Sequence, residues 1–393
     1  MISRRKTILP IIVLSQFACT SLWFASNGVM TNLVDTFQLD QNAVGSLTSA
    51  IQFGFILGTL TFAILTIADR FSPSRVFFTC AILGALFNTG MIWSGHTIST
   101  LLLLRFLTGF CLAGIYPVGM KIAADYYQKG LGLSLGFLVG ALVLGTAFPH
   151  LIKSVITTDL WRNVIIATSG FASFGGVVML LFVPNGPYRQ AAQKLELNAF
   201  FKVFRVPTFR AAAFGYFGHM WELYAFWAFV PVILDSYIKV QPNVKLDVAL
   251  WSFVIIGSGS IACVIGGYLS KSYGEKRIAS LALISSGLCC LLSPIVFSIS
   301  SSAVILTFLI FWGLVVIADS PLFSTMVAHN AEPKLKGTAL TIVNCIGFAI
   351  TIVSILILTI LSKYINWQYL YLVLVIGPLL GLIALSKKSG STP

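Results

Sequence analysis

His219 and Glu222 sit three residues apart in YFGHMWELYAFWAFVP, residues 216–231, a stretch apolar enough to cross a bilayer and crowded with aromatic side chains. On a helix, positions i and i+3 share a face, and Tyr216 and Phe226 extend that face. A carboxylate near the centre of a membrane costs about 2 to 3 kcal/mol even on lenient insertion scales, so Glu222 needs a partner, a proton or a water-filled cavity. Histidine gains and loses a proton near neutrality, so His219 could relay or share one with Glu222. Two more ionisable residues interrupt apolar runs: Arg105 in RFLTGFCLAG, and Asp319 just before Ser320 and Pro321. The chemistry these types permit is reversible proton binding, with Glu222 first, His219 second, and Asp319 assisting or binding a solute. Arg105 offers a fork of donors suited to an anionic group.

Each residue has a plainer reading. His219 could donate to a carbonyl in a packed helix interface, and Asp319 could cap a broken helix. Arg105 is long enough to snorkel towards the nearer surface. Trp221, Tyr224 and Trp227 could stack on a solute or simply fill space between helices.

The elements that must position these groups are membrane helices. The chain has 393 residues, 57% hydrophobic and only 9% charged, where a soluble domain carries roughly a quarter charged residues. Its seven cysteines show no C-x-x-C spacing and lie mostly in apolar runs; they read as small apolar fillers, and no metal or other cofactor is expected. The net charge of +13 is scattered through short loops, which points to membrane topology and against nucleic acid. The N-terminal stretch resembles a secretory signal, but its apolar run continues past Trp23, Phe24 and Asn27 to Leu33, long enough to span.

Apolar runs of spanning length fall at residues 8–34, 42–67, 76–96, 98–120, 131–153, 162–183, 209–235, 248–269, 278–299, 303–328, 337–362 and 367–386. That predicts an all-α integral membrane protein with twelve transmembrane helices. Nineteen lysines and arginines fall in the termini and even-numbered loops, five in odd-numbered loops, and Arg105 lies within a span. The bias places both termini in the cytoplasm of a cell membrane protein. The longest polar connection divides the chain into residues 1–183, a central cytoplasmic loop at 184–208, and residues 209–393. Within it NAFFKVFR, residues 198–205, could lie as a basic amphipathic helix on the inner leaflet or be an ordinary basic loop.

The two halves repeat each other at an offset near 205 residues. The segment Asp69 to Arg75 after the second span answers Lys271 to Arg277 after the eighth, with Arg75 and Arg277 in corresponding places; Pro117 answers Pro321; Gly130 answers Gly337. Duplicated six-helix halves suit a protein that rocks one bundle against the other around a central site.

On these residues the chain resembles the major facilitator superfamily over its whole length. TIADRFSPSR, residues 66–75, is similar to that family's loop after the second helix, matching at Asp69, Arg70 and Arg75 and departing where glycines are usual. The resemblance implies that Asp69, Arg70, Arg75 and, in the second half, Arg277 clamp a cytoplasmic gate; the plainer alternative is a set of solvated positive charges. Arg105 to Gly109 is similar to an Arg-x-x-x-Gly motif of proton-coupled members. The glycines at 132, 136, 140 and 145 match the family's exporter motif only in part, and as small residues they also serve close helix packing.

The resemblance further implies that spans one, four, seven and ten line a central cavity. Trp23, Asn27, Arg105, Tyr116, Trp221, Tyr224 and Trp227 are then the substrate-contacting residues, with Glu222, His219 and Asp319 handling the proton. The expected activity is alternating-access transport of a small organic solute, anionic or carboxylate-bearing, by proton symport, with the chain working as a monomer. The alternative is a proton-driven exporter of amphipathic compounds such as drugs or siderophores. Enzyme motifs such as H-E-x-x-H or G-x-S-x-G are absent, as is a phosphate loop, so a gradient must supply the energy.

Overall fold

Prolines and buried polar groups decide where the apolar runs stay continuous. The computed structural model describes residues 2–40, 42–127, 131–156, 159–189, 202–241, 243–332 and 335–386, and among these the secondary structure is helical, without strands. The first span runs Ile2–Thr20 and continues as Ala25–Gly28 and Met30–Phe37. The second is Ala43–Ile64, the third Pro73–Gly90, and the fourth Ile98–Leu112 followed by Tyr116–Tyr126. Leu131–Val155 and Leu160–Phe182 complete the first half. In the second half the spans are Pro207–Val240, Val248–Tyr273, Glu275–Phe297, Ser302–Val315 with Ser320–Asn330, Lys336–Leu361, and a twelfth that runs from Trp367 to Ser386 through a 3-10 turn. Among the described residues ten helices are long and apolar enough to cross a membrane; the first span and Pro73–Gly90 make the set six and six.

Spans four and ten break at matching places. In each, a proline opens the second segment, where its missing N–H costs nothing. Those segments, Tyr116–Tyr126 and Ser320–Asn330, are the same length and 204 residues apart. The repeat extends to side-chain detail. Gly109 packs on the carbonyl of Ile51, and Gly313 on that of Ile255, the same contact moved by 204 residues. A Cβ at either glycine would collide with the carbonyl, so spans two and four, like eight and ten, approach as closely as only glycine allows. Gly130 lies outside the described residues, as do Lys194, Glu196 and the first half of NAFFKVFR.

The halves meet along two seams. Span five faces span eight, where Gly136 stands against the carbonyl of Cys263 and Gly140 against that of Ser260. Span two faces span eleven, with Gly45 against Thr359 near one end and Cys345 Sγ donating to the Ile56 carbonyl at 3.9 Å. Gly136 and Gly140 of span five therefore serve close packing between the halves, whereas Gly145 packs on Thr20 of span one and a Cβ at Gly132 would meet nothing within 4 Å.

Candidate functional site

The break in span one is the first part of the site. Between Thr20 and Ala25 the helix passes through turns, and carbonyls freed there must find donors because a bilayer offers none. Arg105, wholly buried on span four, supplies them: Nη1 donates to the Leu22 carbonyl at 3.1 Å and Nη2 to that of Trp23. Nη1 also donates to Asn88 Oδ1 at 3.3 Å, and Asn88 Nδ2 in turn donates to Thr168 and Ser169 on span six. Arg105 neither snorkels nor pairs with an acid among the described residues. It ties spans one, three, four and six together at the break.

The second part lies in the other half. Glu222 is 1% exposed and is surrounded by donors. Trp312 Nε1 donates to Oε1 at 2.6 Å, Ser286 Oγ to Oε2 at 2.8 Å, and Cys290 Sγ to Oε1 at 3.4 Å. The Trp312 indole is held by stacking on Phe226 of span seven, centroids 4.6 Å apart. Glu222 thus points at spans nine and ten, inside its own bundle. Ser286 has a second acceptor within reach, the Leu283 carbonyl at 3.3 Å. Its hydroxyl can turn from donating to a carboxylate to accepting from a protonated acid, since a hydroxyl both donates and accepts.

His219 takes a different partner. Its Nδ1 lies 2.8 Å from Asp319 Oδ1, both side chains almost fully buried. The contact has ion-pair distance without hydrogen-bond alignment, for Asp319 Oδ1 and His219 Nε2 have no hydrogen-bond partner among the described residues. Asp319 occupies the position before Ser320–Asn330, yet its side chain makes no capping bond; only its backbone carbonyl accepts from Leu322 and Phe323.

Between the halves lies a nest of rings. Trp23 packs on Phe55, Tyr224 and Phe348 at centroid distances of 4.8, 5.9 and 5.5 Å, and Phe24 meets Tyr224 and Trp227. Tyr116 is buried at the break of span four. Asn27 donates to Thr48 Oγ1 at 2.8 Å while its Oδ1 has no partner among the described residues. Trp221 turns away from this nest and donates to the Val373 carbonyl of span twelve at 3.1 Å.

Gln16 and Gln52 are buried polar residues that the residue types did not single out. Both are wholly buried, and both atoms of each amide lack a partner among the described residues. A glutamine inside an apolar run was the available signal; a buried unpartnered amide is the kind of group that binds water or solute. Ser286 and Cys290 carried no signal, because small polar residues are common in such helices.

At the end bearing the basic loops, Asp69 pairs with Lys121 Nζ at 2.6 Å, and Arg189 donates to the carbonyls of Asp69 and Phe71. Ser72, at the departure from the family's glycine, donates to Asn185, and Ser74 donates to the Val183 carbonyl. Glu275 approaches His329 at 3.5 Å in the matching place of the second half. Arg70, Arg75 and Arg277 form no ion pair with a described residue. These contacts join the loop to its own half and to the start of the central connection.

Several solved structures share this fold. The chain aligns with a proton:xylose symporter, XylE, at a TM-score of 0.75 and 12% identity, covering 97% of this chain and 95% of that one. It aligns with the nucleoside transporter NupG at 0.71 and 15%, covering 98% and 100%. A bacterial homologue of the human lysosomal transporter Spinster, in an inward-facing conformation, gives 0.69 and 15%, covering 97% and 95%. Among curated protein sequences none matches. The model of the Major Facilitator Superfamily matches residues 12–354, and with twelve helices, a 204-residue repeat and broken spans beside the seam, the chain belongs to that superfamily of transporters.

Proposed function

We propose that the protein is a proton-coupled secondary transporter of a small polar organic solute, working by alternating access as a monomer in a cell membrane with both termini cytoplasmic. The observation that carries this reading is Glu222: a wholly buried carboxyl with three donors and no cation partner among the described residues. Loss of a proton is stabilised by Trp312, Cys290 and Ser286; gain of one is accommodated when Ser286 turns its hydrogen to the Leu283 carbonyl and accepts from the acid. Because Glu222 hangs on span seven and its donors on spans nine and ten, its protonation biases how these helices pack. The His219–Asp319 contact, between spans seven and ten, offers a second proton site on the same helix pair. Rocking of the halves along the glycine-lined seam would expose the interior alternately to the two sides.

The solute is read chiefly by neutral groups. Arg105 spends both terminal nitrogens on carbonyls and Asn88, so recognition falls to the amides of Gln16, Gln52 and Asn27 and the indoles of Trp23 and Trp227, whose Nε1 atoms lack partners among the described residues. This set suits hydroxyl- or amide-bearing solutes, and it needs no anionic group. The sugar symporter and nucleoside transporter of the same fold agree with it in kind. The rings of Phe24, Phe55, Tyr224 and Phe348 favour a second reading, export of amphipathic compounds.

Reconstitution into liposomes under an imposed proton gradient tests the proposal. Uphill accumulation by wild type and its loss in Glu222→Gln are expected; Glu222→Gln with full gradient-driven accumulation would sink it. In whole cells an uncoupler separates the directions, lowering retained solute for a symporter and raising it for an exporter.

A further inference from the structure

The second half carries a groove of about 1570 Å³ that lies apart from the ring nest between the halves. Its walls come from spans seven, eleven and twelve, where Phe214, Phe217, Trp221, Val353 and Leu380 face it. Phe214, Val353 and Leu380 are 48%, 50% and 58% exposed, on the face that a bilayer would cover. One end of the groove runs beneath the end of span twelve to the loop between spans eight and nine. There Arg210, Lys276 and Arg277 line it, with Glu275 and His329 beside them.

The charge balance at this end is one-sided. Glu275 has His329 as a partner at 3.5 Å, while Lys276 and Arg277 are exposed and form no ion pair with a described residue. Arg210 uses Nη1 on the carbonyls of Phe204 and Arg205 and has no carboxylate partner among the described residues. The matching loop of the first half also has cations without an ion pair to a described residue, Arg70 and Arg75, but Lys121, Arg189, Ser72 and Ser74 tie it down. An apolar trough in a membrane face is filled by acyl chains, so only the headgroup is open to selection. Three cations at the end of such a trough select a phosphate without a compensating positive group.

We infer that this groove is a binding site for an anionic phospholipid, with acyl chains along Phe214, Phe217, Val353 and Leu380 and the phosphate against Arg210, Lys276 and Arg277. Occupancy wedges span twelve against spans seven and nine, the helices that bear Glu222 and Ser286, so the lipid stabilises the folded second half.

The test uses the purified full chain in nanodiscs of phosphatidylcholine with or without phosphatidylglycerol, reading bound lipid by native mass spectrometry and unfolding temperature in parallel. Phosphatidylglycerol is expected to bind preferentially and raise the unfolding temperature. Each charge removed from Arg210→Gln, Lys276→Gln and Arg277→Gln should weaken binding about 5-fold, since a basic residue near an anionic surface contributes about 1 kcal/mol. Val353→Trp should lower bound lipid without changing charge, and Arg70→Gln with Arg75→Gln should leave it unchanged. Equal binding of the two lipids, or undiminished binding to the triple variant, overturns the proposal. So does phosphatidylglycerol binding that emerges only after deletion of residues 190–201, which would mean that the chain itself fills the groove.

Discussion

Arg105 and Glu222 are both ionisable, both wholly buried, and both without an oppositely charged partner among the described residues, yet the two halves use them for opposite ends. Arginine stays charged, so the first half surrounds it with acceptors, the carbonyls of Leu22 and Trp23 and the amide oxygen of Asn88. The arrangement has one proton state and holds a broken helix in place. Glutamate has two states, and the second half gives it a donor that can turn, Ser286, beside a donor that cannot, Trp312. A buried group that cannot change charge fixes structure; one that can change charge, with a neighbour that adapts, serves as a switch.

Replacing each residue should therefore break different things. Glu222→Gln keeps shape and should abolish uphill accumulation altogether, leaving solute exchange in place, as measured by counterflow in liposomes. Arg105→Met should spare no function that depends on folding: two carbonyls and Asn88 lose their donor, at a cost of about 3 to 5 kcal/mol, seen as a large fall in unfolding temperature. If Arg105→Met were stable and lost only transport, the contrast between the halves would collapse.

Trp312→Phe sharpens the comparison further. It removes a hydrogen bond to a charged group and should destabilise by about 1.5 to 3 kcal/mol. The loss should be greater at alkaline than at acid pH, because only the carboxylate form needs that donor; equal loss at both would place Glu222 in one protonation state throughout. His219→Gln and Asp319→Asn should couple by about 0.5 to 3 kcal/mol in a double-mutant cycle, as contacting residues do. The smallest effect belongs to Asp69→Asn, whose ion pair with Lys121 is about a quarter exposed and should contribute about 0.2 to 1 kcal/mol.

Most of the architecture was legible because membrane helices announce themselves through length and apolarity, and a duplicated chain shows its period through prolines and glycines. Pro117 and Pro321, which marked the repeat in the sequence, open the second segments of spans four and ten. The break of span one was not legible: SLWFA holds neither proline nor glycine, and the interruption is stabilised by a guanidinium 82 residues away from Trp23. The pairing of His219 and Glu222 also reads differently in three dimensions. Three residues on a helix put them on one side, but that side meets two helices, and each residue found its own partner there.

Composition and periodicity alone determined a twelve-span membrane protein built from two repeated halves, with ionisable groups buried where they must do something, because apolar length and the cost of buried charge are properties of the chain itself. Tertiary structure alone decided what each buried group does. That Arg105 mends a helix break, that Glu222 faces Ser286 and Trp312, that Gln16 and Gln52 are buried without partners among the described residues, and that Arg210, Lys276 and Arg277 line one groove all depend on which distant residues the fold brings together. Hydrogen bonds act over about 3 Å, and separation along the chain does not set that distance.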